Sequence, residues 1–149
     1  MKVKEIMAKD VTSISPEISG QEALDLLQEM QISGLPVIDA QNNLVGMFTE
    51  KDILSYLLPS YIESVGRFVY QENSKTIKRK FGELSKIKVS QLMRKDIITT
   101  TEDTALCEAA RVMLTQKARR IPVVDKSGKV VGIVARGDIL RALEKETEV

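Results

Sequence analysis

The chain has 149 residues, which suits one compact domain or two very small domains that share a core. Its formal net charge of +1 argues against a general polyanion binder, although it leaves room for a local basic patch. One cysteine and no histidine exclude a disulfide within the chain and the usual Cys/His zinc, haem and catalytic sites.

The first part of the chain predicts a strand, a helix, a hairpin and a second helix. The β-branched run "DVTSI" (residues 10–14) predicts the strand. "SGQEALDLLQEM" predicts the helix, because Ser19 and Glu22 have the spacing of a capping box. Its apolar face is formed by Ala23, Leu24, Leu27 and Met30. The runs "LPVID" and "NLVGMFT" predict a hairpin across "AQNN", and "EKDILSYLL" predicts the second helix.

The segment 58–86 is predicted to be an inserted linker of helical character, and it is rich in aromatic residues. Five of the six aromatic residues lie in it or beside it: Tyr56, Tyr61, Phe68, Tyr70 and Phe81. Such a group favours an interface with a partner, and the alternative is a helix or two packed on the rest of the chain. Its basic run "SKTIKRKF" is either a phosphate or nucleic-acid patch or a solvated helical face. The neutral overall charge and the flanking glutamates favour the solvated face.

The remainder of the chain repeats the first part at a constant offset of 86 residues. Pro36 corresponds to Pro122, and Met7 to Met93, without a gap inside the repeat. "DIITT" (residues 96–100) predicts a strand, "EAARVMLTQ" a helix, "IPVVD" and "KVVGIVA" a hairpin across "KSG", and "GDILRALEK" a final helix. The duplication therefore predicts a molecule built from two units of similar fold.

The predicted fold class is therefore α/β (α+β), with two β-α-β-β-α units at residues 1–57 and 87–149. Each unit alone is too small to bury a good core. We expect the two units to pack through their sheets around a pseudo-twofold axis. That arrangement would create two equivalent clefts, each with an Asp at the start of a helix.

The stretches "GMFTEKDIL" (residues 46–54) and "GIVARGDIL" (residues 132–140) carry a family resemblance. Each has glycine, an apolar residue, a Thr or its replacement, Asp and an apolar residue in fixed spacing, after a "PVID" or "PVVD" strand. This pattern resembles the CBS domain, and two copies in tandem resemble the CBS pair, or Bateman module. Such pairs bind adenine nucleotides in their clefts and pass the binding state to an attached or partner protein. Some members bind S-adenosyl compounds, and some bind no known ligand.

The resemblance implies a role for the repeated Asp. Asp52 and Asp138 would accept hydrogen bonds from the ribose hydroxyls of the ligand. Thr49 matches the hydroxyl position that supports the ribose or phosphate side, whereas Ala135 departs from the pattern in the second copy. We therefore expect the Asp52 site to bind more tightly than the Asp138 site.

The resemblance also implies the rest of a nucleotide site. Basic side chains before the second hairpin, Arg119 and Arg120, would meet the phosphate, and Arg136 could compensate for the missing hydroxyl of the second copy. Thr12 and Ile32 are expected to face the Asp138 site, and Ile98 and Ala118 the Asp52 site. The full set expected to line the adenine pocket is Thr12, Ile32, Met47, Ile98, Ala118 and Ile133.

Plainer interpretations of these residues stay open. An Asp at the start of a helix is commonly a cap or a favourable partner of the helix dipole. The alternative for the arginines is that they are solvated, as surface charges usually are. Met7 and Met93 are typical packing residues. Cys107 lies in an apolar helix and is predicted to be inert core.

We expect a regulatory protein that senses an adenosine nucleotide (AMP, ADP or ATP) and requires no cofactor. No nucleophile and base pair, glycine-rich phosphate loop or metal cluster is recognisable, so an enzyme is not predicted. The alternatives are an S-adenosyl-compound sensor, a ligand-free scaffold and a nucleic-acid accessory protein. We also expect a homodimer, an unidentified regulated protein as partner and a cytoplasmic location, since no signal peptide or membrane-spanning run is present.

Overall fold

The computed structural model describes residues 1–58 and 74–147. The chain forms two compact units. The Asp52 unit comprises Ile14–Val37 and Val45–Lys95, and the Asp138 unit comprises Met1–Ser13, Ile38–Leu44 and Asp96–Val149. The Asp138 unit thus combines most of the second repeat with residues 1–13 and 38–44 of the first, and the Asp52 unit combines most of the first repeat with residues 87–95 of the second.

The Asp52 unit contains α1 (Gly20–Met30), the strands β1 (Gly34–Ile38) and β2 (Leu44–Thr49), and α2 (Glu50–Leu57). It continues with α3 (Ser74–Gly82), a 3-10 turn (Glu83–Lys86) and α4 (Val89–Leu92). The strands β1 and β2 form a two-stranded sheet, which completes the predicted hairpin.

The core of the Asp52 unit forms where the apolar face of α1 meets the hairpin and α2. It is composed of Ile14, Ala23, Leu24, Leu27, Leu35, Val37, Phe48, Ile53, Leu57, Leu84 and Val89. The hydroxyl of Ser19 accepts a hydrogen bond of 3.1 Å from the Glu22 N–H, which confirms the predicted cap of α1. Met30 is 40% exposed, so its assignment to the buried face was wrong. It is the last residue of α1, beyond the part of the helix that covers the hairpin.

The Asp138 unit contains β3 (Thr100–Thr101), α5 (Leu106–Thr115), β4 (Arg120–Val124), β5 (Val130–Ala135) and α6 (Arg136–Thr147). The strand β3 is parallel to β4, and β4 is antiparallel to β5. Its core contains Val3, Leu106, Ala109, Met113, Ile121, Val123, Val134, Ile139 and Ala142. Cys107 is exposed on α5, so its assignment to the core was wrong. The mixed helix and strand class with two sheets is confirmed.

The strands predicted to open each repeat are much shorter than expected. In residues 10–14 only Ile14 pairs, in a single parallel bridge with Val37. In residues 96–100 pairing begins at Thr100 and extends to Thr101. These runs are β-branched, yet they cross an edge of the hairpin for only one or two residues, and the tertiary contact sets their length.

The described end of the insertion is helical, in α3 and the following 3-10 turn. The ammonium group of Lys80 lies 5.5 Å from the centre of the Tyr56 ring and donates a hydrogen bond to the Tyr56 carbonyl. Phe81 is 44% exposed. Tyr61, Phe68 and Tyr70 lie outside the described residues, and the interface role of this segment stays a prediction.

The backbone repeats the 86-residue offset in detail. Left-handed residues occur in pairs at this spacing, Gln31 with Lys117 after α1 and α5, and Asn42 with Gly128 in the hairpin turns. The "PVID" and "PVVD" aspartates build these turns. Asp39 Oδ1 accepts the N–H groups of Gln41 and Asn43, and Asp125 Oδ1 accepts those of Ser127 and Lys129.

The segments that lead into the two repeats are exchanged. Ala8 pairs with Ile133 in the Asp138 unit, and Arg94, the residue equivalent to Ala8, pairs with Met47 in the Asp52 unit. In each unit the preceding methionine, Met7 or Met93, packs on the glycine of the other repeat's hairpin. The predicted packing role of both methionines therefore agrees with the structure, and the exchange explains why each unit contains parts of both repeats.

Candidate functional site

The carboxylate of Asp52 lies at the start of α2, where the hairpin strand β2 ends. Its Oδ2 atom accepts hydrogen bonds from the Thr49 N–H at 2.8 Å and from the Thr49 hydroxyl at 3.1 Å. Asp52 therefore satisfies one of the backbone donors that every helix start leaves unpaired. The plainer interpretation, that this Asp is a cap, is realised in the structure.

Capping uses only one oxygen of this carboxylate. Within the described residues no donor reaches Asp52 Oδ1, and the side chain is half-buried. Burial raises the pKa of Asp52, while the Thr49 hydrogen bonds and the charges of Arg94 and Lys51 partly oppose that rise. The free oxygen of this half-buried carboxylate could accept a hydrogen bond from a ligand hydroxyl.

The carboxylate of Asp138 has the same cap but a different second contact. Its Oδ2 atom accepts the Ala135 N–H at 3.0 Å, in the same geometry as Thr49 and Asp52. Its Oδ1 atom accepts from the Arg141 guanidinium, one helical turn further along α6. The residue equivalent to Arg141 in the first repeat is Ser55, which carries no charge. Both oxygens of Asp138 are therefore engaged, whereas Asp52 has one to offer.

Arg94 lies beside the candidate site and was not among the residues predicted from the sequence. Its N–H and carbonyl form two hydrogen bonds with Met47, of 2.8 and 3.0 Å. Directly opposed residues point to the same face, as do residues two apart along a strand. Arg94 thus shares the face of β2 that carries Met47 and Thr49, and its positive charge acts on Asp52. The cation at this position is visible in the sequence, but its place beside Asp52 follows only from the exchanged segments.

The predicted phosphate ligands belong to the Asp138 unit. Arg119 is exposed before β4, and Arg120 is half-buried as the first residue of that strand. Arg136 donates from Nε to the Ala118 carbonyl at 3.0 Å, and its backbone N–H donates to the Arg119 carbonyl. This anchoring occupies part of the Arg136 guanidinium and explains its orientation without a ligand.

Three of the predicted adenine-pocket residues are partly buried at positions that the cores determine. Ile32 packs against the core of the Asp52 unit, and Ile98 and Ala118 pack against the core of the Asp138 unit. Thr12 is exposed in the Asp138 unit. Their roles in a pocket stay predictions.

The remaining two, Met47 and Ile133, are equivalent residues at the edges of their sheets. Each is half-buried and pairs through its backbone with the exchanged segment, Met47 with Arg94 and Ile133 with Ala8. Met47 therefore lies on the face that bears Thr49, next to the candidate site of the Asp52 unit.

Features of other site classes are missing from the described ranges. Residues 1–58 and 74–147 contain no group of three or more His, Cys, Asp or Glu side chains arranged to hold a metal ion. No helix in that part of the chain has the length and apolar character needed to cross a membrane.

Comparison with known proteins finds relatives that match nearly the whole of this chain. A chloroplastic CBS domain-containing protein of Arabidopsis thaliana, CBSX2, is 35% identical over 150 residues, which cover 91% of this chain and 60% of that protein. The chain thus spans about three fifths of the length of this relative. The crystal structure of CBSX2 in complex with AMP superposes with a TM-score of 0.76 at 32% identity, over 99% of this chain and 98% of that chain.

A second solved structure contains other adenosine compounds. The CBS domain pair of protein MJ0100, in complex with 5′-methylthioadenosine and S-adenosyl-L-methionine, has a TM-score of 0.71 at 26% identity, covering 99% of this chain and 98% of that chain. The family model for the CBS domain matches residues 3–59 and again residues 89–145. The chain therefore belongs to the CBS domain family and carries two CBS domains in tandem.

Proposed function

We propose that this chain is a regulatory module that binds an adenosine nucleotide through Asp52 and passes the occupancy of that site to a partner protein. The observation that carries the proposal is the unequal use of the two Asp52 oxygens. Thr49 holds Oδ2, and Oδ1 has no donor within the described residues. The Thr49 contacts fix the carboxylate in place before a ligand arrives, which lowers the entropy cost of binding.

The chemistry of this carboxylate suits a ribose. The sugar offers two adjacent hydroxyl donors, and an ionised carboxylate accepts such bonds more strongly than a neutral group does. The ligands named for CBSX2 and MJ0100 are AMP, 5′-methylthioadenosine and S-adenosylmethionine, all of which contain this ribose. They support an adenosine compound as the ligand class.

Calorimetric titration with AMP, ADP and ATP tests the proposal. Asp52→Ala should weaken the tighter binding event roughly 10- to 100-fold, because a hydrogen bond to a charged group contributes about 1.5–3 kcal/mol. Asp138→Ala is the matched control and should leave that event in place, since its carboxylate is already engaged by Arg141. 2′-Deoxy-AMP should bind the wild type more weakly than AMP and should bind Asp52→Ala with little further loss.

Two results would contradict the proposal. If Asp138→Ala removes the tight event while Asp52→Ala retains it, the wrong carboxylate has been chosen. If no adenosine compound produces heat or a shift in melting temperature, a ligand-free scaffold or a nucleic-acid accessory role replaces the sensor.

The proposed regulatory role also carries expectations about the oligomeric state, the partner and the fate of the nucleotide. We expect a homodimer, measurable by light scattering at defined concentration, and a regulated partner that is recovered in a nucleotide-dependent way. We expect no catalysis, so the nucleotide should be recovered unchanged after prolonged incubation. A cytoplasmic location stays a prediction, and CBSX2 is chloroplastic by name.

A further inference from the structure

The exchanged segment places a cation beside the candidate ribose site. Gly46 allows this close approach, because a Cβ atom there would lie 2.5 Å from Met93 Sδ and 2.9 Å from the Arg94 carbonyl oxygen. The two backbone hydrogen bonds between Arg94 and Met47 then fix the register. The position of Arg94 along β2 is therefore set by backbone contacts and does not depend on its own side chain.

The Arg94 guanidinium is available to a ligand. The residue is exposed, and within the described residues its side chain forms no hydrogen bond or ion pair, including with Asp52. Yet it lies on the face of β2 that carries Thr49, near enough for its charge to act on the Asp52 carboxylate. A planar guanidinium with five donors binds two oxygens of a phosphate at once.

The second copy of the site provides an internal contrast. In the Asp138 unit the equivalent position is Ala8, which pairs with Ile133 in the same way and carries no charge. The arginine that does reach Asp138 is Arg141, from the same helix, and it binds the carboxylate itself. At this position of the exchanged segment, the Asp52 unit thus has a cation and the Asp138 unit has an uncharged residue.

We propose that Arg94 binds the phosphate of the nucleotide whose ribose is held by Asp52, so that this site selects phosphorylated adenosine over uncharged or cationic adenosine compounds. This inference rests on the proposed function, because Asp52 must hold the ribose. The carboxylate receives the sugar hydroxyls, and the guanidinium receives the negative charge at the 5′ end. The 5′ sulfonium of S-adenosylmethionine would meet a like charge, which disfavours binding, and 5′-methylthioadenosine would leave Arg94 without a partner.

The test compares AMP, adenosine, 5′-methylthioadenosine and S-adenosylmethionine on four proteins at one salt concentration and at pH 7.5, where the phosphate is largely dianionic because its second pKa is about 6. The proteins are the wild type, Arg94→Ala, Arg94→Lys and Lys95→Ala. Lys95 is the adjacent exposed residue, so Lys95→Ala changes the net charge by the same amount as Arg94→Ala but keeps the Arg94 guanidinium. Ligand-free melting temperatures establish that all four are folded.

The wild type should bind AMP at least about tenfold more tightly than adenosine, in line with a charged hydrogen-bond pair. Arg94→Ala should lose most of that preference while its affinity for adenosine stays within about twofold, and Arg94→Lys should recover part of it. Lys95→Ala should retain the preference.

Equal losses in Arg94→Ala and Lys95→Ala would overturn the inference, because they would show a general charge effect. So would a wild type that binds adenosine or S-adenosylmethionine as tightly as AMP. In that case a loss of adenosine binding in Asp52→Ala would still support the proposed function. If Asp52→Ala binds every compound as the wild type does, the proposed function itself fails.

Discussion

Replacing Gly46 by alanine should displace the segment that carries Arg94 from the edge of β2. The backbone of Gly46 is not in the left-handed region, so the effect is purely steric. The added methyl carbon would lie 2.5 Å from Met93 Sδ and 2.9 Å from the Arg94 carbonyl oxygen. The methionine end can move, but the carbonyl can retreat only if the backbone moves. Overpacking of this kind costs about 1–3 kcal/mol.

Equivalent positions in the chain provide the controls. Gly132→Ala meets Met7 Sδ at 2.5 Å but the Ala8 carbonyl only at 3.1 Å, so its cost should fall at the lower end of that range. Gly82→Ala has no atom within 4 Å and sits in helical geometry at the end of α3, so it should be neutral or stabilise the fold by up to about 1 kcal/mol.

Urea unfolding of the three variants, with m-values compared, measures these costs. Because Gly46→Ala shifts Arg94, it should also weaken AMP binding, whereas Gly132→Ala should not. The double variant Gly46→Ala, Met93→Ala tests the steric reasoning further, since shortening Met93 relieves the sulfur contact and leaves the carbonyl contact. A Gly46→Ala protein with wild-type stability and wild-type AMP affinity would refute the reasoning.

Two further predictions concern stability. Phe48 is fully buried in the core of the Asp52 unit, so Phe48→Ala should lower the free energy of unfolding by about 3–5 kcal/mol in urea titration, and a loss below 1 kcal/mol would contradict the assigned core. Burial raises the pKa of Asp52, although the Thr49 hydrogen bonds and the charges of Arg94 and Lys51 oppose that rise. The folded protein therefore holds a proton on Asp52 more tightly than the unfolded chain does. As pH rises from about 3.8 through the raised pKa, the wild type should lose stability relative to Asp52→Asn. Urea unfolding between pH 3 and pH 7 measures this, and a wild type that gains on Asp52→Asn with rising pH would show that the hydrogen bonds outweigh burial.

Much of the fold could be predicted because duplicated local patterns determine it. The helices and hairpins follow from apolar periodicity and turn chemistry, and the structure places left-handed residues at equivalent turn positions such as Asn42 and Gly128. The opening strands could not be predicted, since Ile14 pairs at one residue only, and the sheet edge that it reaches decides that length. The predicted burial of Met30 was wrong for a similar reason. Periodicity identifies the apolar face of a helix, and it does not show how far along the helix that face is covered.

The carboxylates of the candidate site could be predicted from the sequence, whereas the cations near them could not be placed. Asp52 and Asp138 stand out because the repeat preserves them. Arg94 could not be placed beside Asp52, because the exchange of the lead-in segments is a long-range contact that leaves no periodic pattern. Arg141 was readable in principle, since Asp and Arg three residues apart on a helix are neighbours, and its spacing from Asp138 is the signal that was overlooked.

The two repeated aspartates differ in how their second carboxylate oxygen is used. Both carboxylates accept the backbone N–H three residues earlier, so the cap alone is sufficient reason for an Asp at each position. The capping bond therefore says nothing about a ligand, and the second oxygen carries the difference. In the second copy Arg141, from the same helix α6, donates a hydrogen bond to the second oxygen of Asp138, so that oxygen has a partner without a ligand. In the first copy Ser55 replaces that arginine, and the nearby cations Arg94 and Lys51 form no ion pair with the carboxylate within the described residues. Arg94 has no ion pair to give up within the described residues, so a ligand with both hydroxyl donors and negative charge could engage Asp52 and Arg94 together.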